Sequence, residues 1–388
     1  MAIAQETRSP RPLADPGSLG LDPERIERVY ELIGRHIAEG RYPGAQVAFA
    51  RHGKLAAFRT FGQARLKPSG RPATDETLWL LYSQTKVVVG ATVWLLVDRG
   101  VLRFADRVAE HIPEFGANSK SEITLFQLLT HQAGFPNATV PPEAWADHEL
   151  LRRCVCAFEL EWWPGTKVHY HGSAAHWTAA ALIEAVTGRD YRDFIRAELL
   201  DPLGLDDIQV GVPPALQECC VDMHVLRDER LEAVRADREE PDFANTAEFR
   251  AAGTPSGGGY ATAAAMAAFY QMLIGGGALD GVRVLSPRVV QFATRNHTAD
   301  RVDESFGMPM HRGLGPHVRG TTPTIRGLGT IASPATFGHG GVGSSYSWGD
   351  PDSGLSFSYL TNCRAEDPWH TARLDQISNL AHAALVEP

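Results

Sequence analysis

The stretch SQTKVVVGATVWLLVDRG, residues 83–100, joins two reactive side chains to an almost unbroken apolar run from Val87 to Val97. The run is too long for one typical strand, and polar residues stop it, so it predicts a buried helix despite three consecutive valines. In a helix, Ser83 and Lys86 lie on the same face, one turn apart. The segment therefore predicts a core helix that carries a hydroxyl and an amine at its start.

Regular patterns on both sides of this helix predict the rest of the fold. Helical patterns cover residues 22–40, 125–130, 174–187, 191–200, 263–274, 287–294 and about 369–385, and strand-like runs cover 46–50, 55–61, 344–348 and 355–360. Between residues 101 and 255, helical patterns alternate with Pro-rich turns and show little strand character, which indicates an all-helical region. The charged segment 226–250 within it is typical of a solvated surface loop.

Pairing the early strands with the late ones gives one antiparallel sheet with helices on its faces and a helical insertion between its two halves. This organisation is of the α+β class. The expected division is a flexible leader over residues 1–21, an α/β domain over 22–82 and 256–388, and a mainly helical domain over 83–255.

Composition narrows the class of protein further. With 388 residues, 44% hydrophobic and 21% charged, the chain has enough apolar surface for a packed core. Acidic residues outnumber basic ones, 46 to 37, and the basic residues are not clustered, which argues against nucleic-acid binding. No secretory signal and no run of ~20 apolar residues is visible, so we expect a cytoplasmic protein with no membrane segment. The five cysteines are typical of reduced structural thiols, and no metal site or cofactor is implied.

The pairing of Ser83 with Lys86 has a chemical purpose. A serine hydroxyl is a weak nucleophile until a base takes its proton, and a lysine in apolar surroundings can lose its charge and act as that base, whereas arginine cannot. The chain has only five lysines against 32 arginines, and Lys86 precedes valines rather than a polar face. These facts favour a nucleophile and its base over the alternative, a serine that only caps a helix.

A second motif, PGTKVHY at residues 164–170, runs into a helix that Ser173 could cap. A phenol just outside a helix amino terminus feels the positive end of the helix dipole, and proximity to Lys86 would add a second cation; both favour the phenolate. Tyr170 is therefore a candidate base, although a tyrosine in this setting is more often a packing residue. The nearby histidines are interpreted as structural or rim residues: His169, His171 and His176.

A third motif, FGHGGVG at residues 337–343, precedes a strand-like run. Glycines let a backbone approach a ligand closely, and the amide of an edge strand can point at a developing oxyanion. The alternative is a tight turn. Because glycine triplets also occur at 257–259 and 275–277, the more specific signal is His339, which stands between glycines.

In this order, the three motifs resemble the serine β-lactamase and penicillin-binding-protein superfamily, specifically its class C lactamase-like esterase branch, the family VIII esterases. The likeness extends from about Leu21 to Leu380 and includes the phrases ITLFQLLTH at 123–131 and GGGYAT at 257–262. The resemblance implies that Ser83 is the acylated nucleophile, Lys86 its general-base partner, and Tyr170 the relay of protons to and from the serine and the leaving group.

The resemblance also implies where the substrate lies. The site is expected between the α/β and helical domains, with an oxyanion hole formed by the backbone amides of Ser83 and Val342. The residues expected to bind substrate are His339, Gly340, Gly341 and Gly172.

Two departures from the lactamase pattern bear on the substrate. Gly172 stands where lactamases have an asparagine that helps bind the antibiotic's amide, and His339, mostly neutral near pH 7, replaces a lysine that helps hold its carboxylate. The expected substrate is therefore a small neutral ester, cleaved through an acyl-enzyme on Ser83. Alternatives are a β-lactamase or D-Ala-peptidase-like amide hydrolase, an acyltransferase and a non-catalytic binding homologue.

Three further properties stay open at the level of sequence. The acyl and alcohol specificity lies in loops such as 217–254 and 301–335, whose conformation the sequence does not give. Lys86 and Tyr170 both qualify as the working base, because coupled groups titrate as a pair. The oligomeric state is also open.

Overall fold

The computed structural model describes residues 11–66, 69–227, 230–235, 243–322 and 327–386. The helices in this part of the chain are α1 (Pro23–Ala38), α2 (Thr85–Asp98), α3 (Val108–His111), α4 (Leu125–Leu129), α5 (His148–Ala157), α6 (Ala174–Thr187), α7 (Tyr191–Ile195), α8 (Ala247–Ala252), α9 (Ala263–Ile274), α10 (Pro287–Ala293) and α11 (Trp369–Ala383). The strands are β1 (Gly44–Arg51), β2 (Lys54–Arg65), β3 (Arg71–Pro72), β4 (Trp79–Leu80), β5 (Ile208–Val210), β6 (His224–Arg227), β7 (Arg230–Ala233), β8 (Gly259–Ala261), β9 (Ala278–Leu279), β10 (Val282–Arg283), β11 (Val302–Asp303), β12 (Met308–Pro309), β13 (His317–Val318), β14 (Phe337–Gly340), β15 (Tyr346–Asp350), β16 (Leu355–Thr361) and β17 (Cys363–Arg364).

The main sheet has seven strands in the order β13-β14-β15-β16-β1-β2-β3, and each neighbouring pair is antiparallel. The early hairpin β1–β2 joins the late hairpin β15–β16 through β1 and β16, with Phe49 opposite Phe357. This confirms the predicted antiparallel sheet and the pairing of the early strands with the late ones.

Helices cover both faces of the sheet, and the alternation of side chains along β1 shows why. Val47 and Phe49 belong to the hydrophobic cluster that also contains residues of α1 and α11, whereas Ala48 and Ala50 belong to the cluster that contains residues of α2 and α9. Successive side chains of a strand point to opposite faces, so a strand covered on both sides is apolar along its whole length. All eight residues of β1 are buried.

Helix α2 is the buried core helix predicted from residues 83–100. Its residues from Thr85 to Leu96 are buried, and the indole Nε1 of Trp94 donates a hydrogen bond to the carbonyl oxygen of Leu314 at 2.9 Å. The regular helix begins at Thr85, after a short 3₁₀ turn over Tyr82–Gln84. This rigid helix fixes the position of the residues at its amino end.

The expectation of an all-helical region over 101–255 is wrong. It contains β5, which pairs with β8, and the hairpin β6–β7, which pairs with β17 so that Val225 lies opposite Arg364. Strand β5 has three residues and pairs with the distant β8, and the charged hairpin β6–β7 pairs with the distant β17, so neither leaves a clear periodic signal of its own. The two-domain division stays a prediction.

The interpretation of 226–250 as a solvated loop is also wrong for the described residues. Besides strand residues, the segment contains α8, and the buried guanidinium of Arg250 forms an ion pair with Asp222 at 2.9 Å. Residues 228–229 and 236–242 of the segment lie outside the described residues.

The described part of the expected leader, residues 11–21, contacts the body of the protein. The backbone amide of Ala14 donates to the carbonyl oxygen of Leu55 at 2.8 Å, and Leu19 and Leu21 are buried. Residues 1–10 lie outside the described residues. Within the described ranges, no helix combines the length and apolar character that crossing a membrane requires.

Candidate active site

Ser83 lies in the 3₁₀ turn that leads into α2, directly after a residue with an unusual backbone. Tyr82 has a φ of +46°, in the left-handed region that non-glycine residues seldom adopt. Ser83 itself is half-buried, whereas its neighbours Gln84 and Thr85 are buried. The turn therefore leaves the Ser83 hydroxyl accessible at the end of an otherwise inaccessible helix.

The amine of Lys86 lies within hydrogen-bonding distance of the serine. Its Nζ is 3.0 Å from Ser83 Oγ and 2.7 Å from the carbonyl oxygen of Ser256, and the residue is fully buried. Burial lowers the pKa of Lys86, the Arg312 guanidinium lowers it further, and Tyr170 opposes the change. Burial thus shifts Lys86 toward the neutral amine, which is the form whose lone pair can accept a proton from Ser83.

The phenol of Tyr170 completes the contact. Its Oη lies 2.8 Å from Ser83 Oγ, and Lys86 Nζ lies 5.1 Å from the centre of its ring. Tyr170 precedes α6, as predicted, but the Ser173 side chain makes no capping hydrogen bond to that helix. The Ser83 oxygen therefore has two groups within reach that can exchange a proton with it, a phenol and an amine.

Residues distant in sequence hold Tyr170 in place. Its backbone amide donates to Asp303 Oδ1 and Ser305 Oγ, each at 3.1 Å. Asp303 pairs in turn with Arg312, and Arg312 Cζ lies 4.9 Å from the centre of the Tyr170 ring. Burial alone would raise the pKa of Asp303, but Arg312 and the hydrogen bonds outweigh burial and lower it.

The third motif forms strand β14 and the turn after it, and it precedes β15, the strand predicted over 344–348; β14 itself was not predicted. Gly341 packs against the serine turn: a Cβ added there would lie 2.9 Å from the carbonyl oxygen of Leu81. Val342 follows in the turn between β14 and β15 and is 54% exposed. Strand β14 thus brings a glycine backbone directly against the segment that precedes Ser83.

His339 lies at the centre of β14, but its side chain is buried. It is 2% exposed, its Nδ1 lies 2.8 Å from the carbonyl oxygen of Gly340, and its ring centre lies 6.2 Å from that of Tyr170. Burial and the positive charges of Lys86 and Arg312 lower its pKa well below the usual value. The His339 ring is therefore neutral, and it presents almost no surface to a substrate.

Gly172, the other residue expected to bind substrate, is exposed two positions after Tyr170. A Cβ added to it would meet no atom within 4 Å. The position therefore has room for the asparagine that lactamases carry, and glycine is not required there by packing.

Several buried imidazoles surround the site, and all of them are neutral. The ring centre of His131 lies 4.7 Å from that of Tyr170, and its Nδ1 accepts a hydrogen bond from the His171 amide at 3.1 Å. Burial lowers the pKa of His171 to about 4 and lowers that of His131 and His176 well below the usual value. The surroundings of the site are thus shielded from solvent, and few of the groups there carry a formal charge.

Sequence reasoning missed four groups that contact the catalytic candidates: the carbonyl of Ser256, and the side chains of His131, Asp303 and Arg312. Only His131 and Ser256 stand near a conspicuous phrase, ITLFQLLTH or the glycine triplet at 257–259. Asp303 and Arg312 lie in the segment expected to govern specificity, where no local pattern marks them. Among the described residues, the groups of His, Asp and Glu close enough to share a metal ion contain neither Ser83, Lys86 nor Tyr170: Asp106, Glu110 and His111, and His148, Glu184 and Asp190.

Comparison with known proteins agrees with the fold and the motifs. A model of the Beta-lactamase family matches residues 29–381. The esterase/beta-lactamase LipL of Mycobacterium tuberculosis is 30% identical over 315 residues, which are 75% of this chain and 70% of LipL. A penicillin-binding-protein homologue from Caulobacter crescentus has a TM-score of 0.79 and 29% identity, over 94% of this chain and 99% of that chain. The crystal structure of a family VIII carboxylesterase has a TM-score of 0.79 and 27% identity, over 94% and 99% of the two chains.

The chain therefore belongs to the Beta-lactamase family, which confirms the superfamily that its three motifs predicted. Within that class it is a serine hydrolase of the β-lactamase and penicillin-binding-protein superfamily, and a family VIII carboxylesterase is among its structural neighbours.

Proposed function

We propose that this protein hydrolyses small carboxylic esters through an acyl-enzyme intermediate on Ser83. One observation carries the proposal: Ser83 Oγ lies 3.0 Å from the Lys86 amine and 2.8 Å from the Tyr170 phenol. A nucleophile within hydrogen-bonding reach of a base, with that base held by further groups, is the arrangement that activates a serine hydroxyl.

The first half-reaction acylates the serine. Ser83 Oγ attacks the carbonyl carbon of the ester while its proton passes to the Lys86–Tyr170 pair, and the carbonyl oxygen becomes an oxyanion. The backbone amides of Ser83 and Val342 are the proposed donors to that oxyanion. Collapse of the tetrahedral intermediate breaks the bond to the alcohol oxygen, which takes a proton from Tyr170 and leaves.

The second half-reaction restores the enzyme. A water molecule gives a proton to the same pair and attacks the acyl carbon, and the bond to Ser83 Oγ breaks as that oxygen regains its proton. The products are a carboxylic acid and free Ser83. The Ser256 carbonyl oxygen accepts a hydrogen bond from Lys86 Nζ at 2.7 Å and so helps to hold the amine beside Ser83.

The departures from the lactamase pattern support an ester rather than a β-lactam. The site offers a neutral, buried His339 in place of a lysine, and an open Gly172 in place of an asparagine. Neither can supply the charge or the amide that an anionic β-lactam would need. The names of two similar proteins, an esterase/beta-lactamase and a family VIII carboxylesterase, both include ester hydrolysis, which supports an ester as substrate.

The test compares p-nitrophenyl acetate and butyrate with a chromogenic cephalosporin, using the wild-type protein and Ser83→Ala. We expect the variant to lose about 10⁴-fold or more of its ester turnover, because removing the nucleophile disables the whole set. Cephalosporin cleavage should be feeble in both proteins. Ser121→Ala, which changes an exposed serine, serves as the matched control and should turn over esters normally. Unchanged turnover in Ser83→Ala would refute the assignment, and fast cephalosporin cleavage by the wild type would favour the amide-hydrolase alternative.

A further inference from the structure

We propose that the buried ion pair of Asp303 and Arg312 positions Tyr170 and keeps a permanent cation over its ring. Asp303 would fix the main chain of Tyr170, and Arg312 would stabilise the negative charge that develops on the phenol during proton transfer. The inference rests on the proposed function, because it assigns a partner to a residue that acts in that reaction.

Asp303 lies in a small hairpin that packs on the Tyr170 segment, and Arg312 follows shortly after that hairpin. Strands β11 and β12 form the hairpin, Asp303 bridges to Val168, and the Glu304 amide donates to the Val168 carbonyl oxygen at 2.9 Å. Asp303 Oδ1 accepts the Tyr170 amide at 3.1 Å, and its Oδ2 accepts Nη2 of Arg312 at 2.6 Å. One carboxylate therefore links the arginine to the backbone of the tyrosine.

Arg312 reaches the ring of Tyr170 as well as the carboxylate. Its Cζ lies 4.9 Å from the centre of that ring, within the distance at which a cation and an aromatic face attract each other. The side chains of Arg312 and Asp303 are 1% and 0% exposed. The charge is therefore screened little by solvent, and it acts on Tyr170 at short range.

A purely structural role explains this arrangement poorly. Within the described part of the chain, the buried Nη1 of Arg312 has no hydrogen-bond partner, so the guanidinium is not fully satisfied where it lies. A buried ion pair is in general weak evidence for stabilisation, because removing two charges from water is costly. An arginine kept in this position at that cost fits a role in the chemistry of its neighbour.

The other groups around Tyr170 and Lys86 leave Arg312 as the fixed positive charge. The titratable or charged groups that face this pair are Asp303, Arg312, His131, His176 and His339. The three imidazoles are neutral because burial lowers their pKa, and Asp303 is the carboxylate already paired with Arg312. Arginine keeps its charge at every relevant pH, and here it lowers the pKa of Lys86.

A double-mutant cycle tests the link between Arg312 and Tyr170. We expect Arg312→Met to lower kcat for p-nitrophenyl butyrate by about 30-fold with Tyr170 present, but by less than about threefold in a Tyr170→Phe background. KM should change less than twofold in both backgrounds. Arg250→Met, which breaks the ion pair with Asp222 elsewhere in the fold, is the matched control and should show no coupling to Tyr170.

The pH profile supplies a readout that general loosening of the structure would not move. A cation near Lys86 disfavours the protonated amine, so removal of the Arg312 charge should raise the pH at which the acidic limb of kcat/KM falls, by about one unit. Arg312→Lys retains the charge and should keep the limb within about 0.3 units of the wild type. Arg250→Met should leave the limb in place even where it lowers the melting temperature.

Equal losses of kcat in the two Tyr170 backgrounds, or an acidic limb that Arg312→Met does not shift, would overturn the proposal. If Arg312→Met does not fold, the same cycle is run with Arg312→Gln, which removes the charge but keeps an amide that can donate to Asp303, and an absence of coupling there overturns it equally. Failure of the proposed function gives a different result, because Ser83→Ala would then turn over esters like the wild type.

Discussion

The two sides of the candidate site are built on different principles. On one side, the side chains of Lys86 and Tyr170 contact Ser83 directly. On the other side, β14 and its turn present backbone, and the one large polar side chain of the motif, His339, is buried and neutral. The difference teaches that single side-chain substitutions should act strongly on the first side, and should act on the second only by moving its backbone.

Tyr170→Phe should lower activity most, because it changes the side of the site that the side chains of Lys86 and Tyr170 form. We expect kcat to fall by about 10²- to 10⁴-fold with a modest change in KM, because the proposed role of the phenol is proton transfer rather than binding. Steady-state kinetics with p-nitrophenyl butyrate measures this. Tyr260→Phe removes another buried phenol, which donates to the Ala244 carbonyl oxygen at 3.0 Å, and should leave kcat near normal. A raised KM at constant kcat would make Tyr170 a binding residue instead.

Arg373→Met should lower activity by an intermediate factor, because it acts on the side of the site that the backbone of β14 and its turn form. Arg373 Nη2 donates to the carbonyl oxygens of Gly343 and Ser344, at 3.1 and 2.6 Å, and so supports the turn that contains Val342. Loosening the proposed oxyanion donor Val342 should cost less than the 10²- to 10³-fold of removing such a donor, so we expect a fall in kcat of about tenfold.

A boronic acid that mimics the tetrahedral intermediate should bind Arg373→Met more weakly by a similar factor, whereas KM should be almost unchanged. Arg51→Met is the control, since Arg51 is also buried and donates to backbone carbonyls, including that of Ser353 at 2.8 Å. Weakened substrate binding with an unchanged affinity for the boronic acid would contradict this role for the turn.

The variants His176→Phe and His339→Phe test how well each side of the candidate site excludes water. Both histidines have a pKa well below the usual value because they are buried. Such a histidine binds a proton more readily in the unfolded chain than in the folded protein. Its contribution to the free energy of unfolding is therefore intact above about pH 6.5, and this contribution is lost as the pH falls toward the pKa of the histidine in the folded protein. Each variant should therefore reduce the acid sensitivity of the free energy of unfolding by about 1 kcal/mol per pH unit between pH 6.5 and 5.

Urea unfolding at several pH values measures this slope. His52→Phe, at an exposed position, is the control and should leave the slope unchanged. A reduced slope in only one of the two buried variants would show that water reaches the other half of the site.

Gly172→Asn should have the smallest effect on the fold. Because a Cβ there meets no atom within 4 Å, we expect the free energy of unfolding to change by less than about 0.5 kcal/mol. Cephalosporin turnover should rise while remaining far below ester turnover, since His339 still supplies no charge. Equal changes in both activities would mean that the position does not discriminate between substrates.

A residue of the site could be predicted from the sequence where the pattern that marks it lies within a short stretch of the chain. Ser83 and Lys86 are one helical turn apart, and the apolar run that follows them specifies a buried helix, so both the pair and α2 were predictable. The residues that support Tyr170, and those that support the turn containing Val342, could not be predicted. Asp303 and Arg373 reach their partners across 133 and about 30 residues, through contacts that only the folded chain creates.

The fold shows the same division between local and distant signals. The hairpins of the main sheet have strong alternating or apolar patterns, and their pairing was predicted. The hairpin β6–β7 was missed because its charged strands are recognisable only beside β17, which is more than a hundred residues away in the sequence.

The support that Arg373 gives to the turn after β14 also bears on when the protein becomes active during its synthesis. The ribosome delivers Ser83 well before α11, the segment that braces the opposite wall of the site. A chain released prematurely, before Arg373 has been added, would contain Ser83 but would lack the hydrogen bonds that Arg373 donates to the turn containing Val342. The order of translation would thus delay full activity until α11 has been made and has docked.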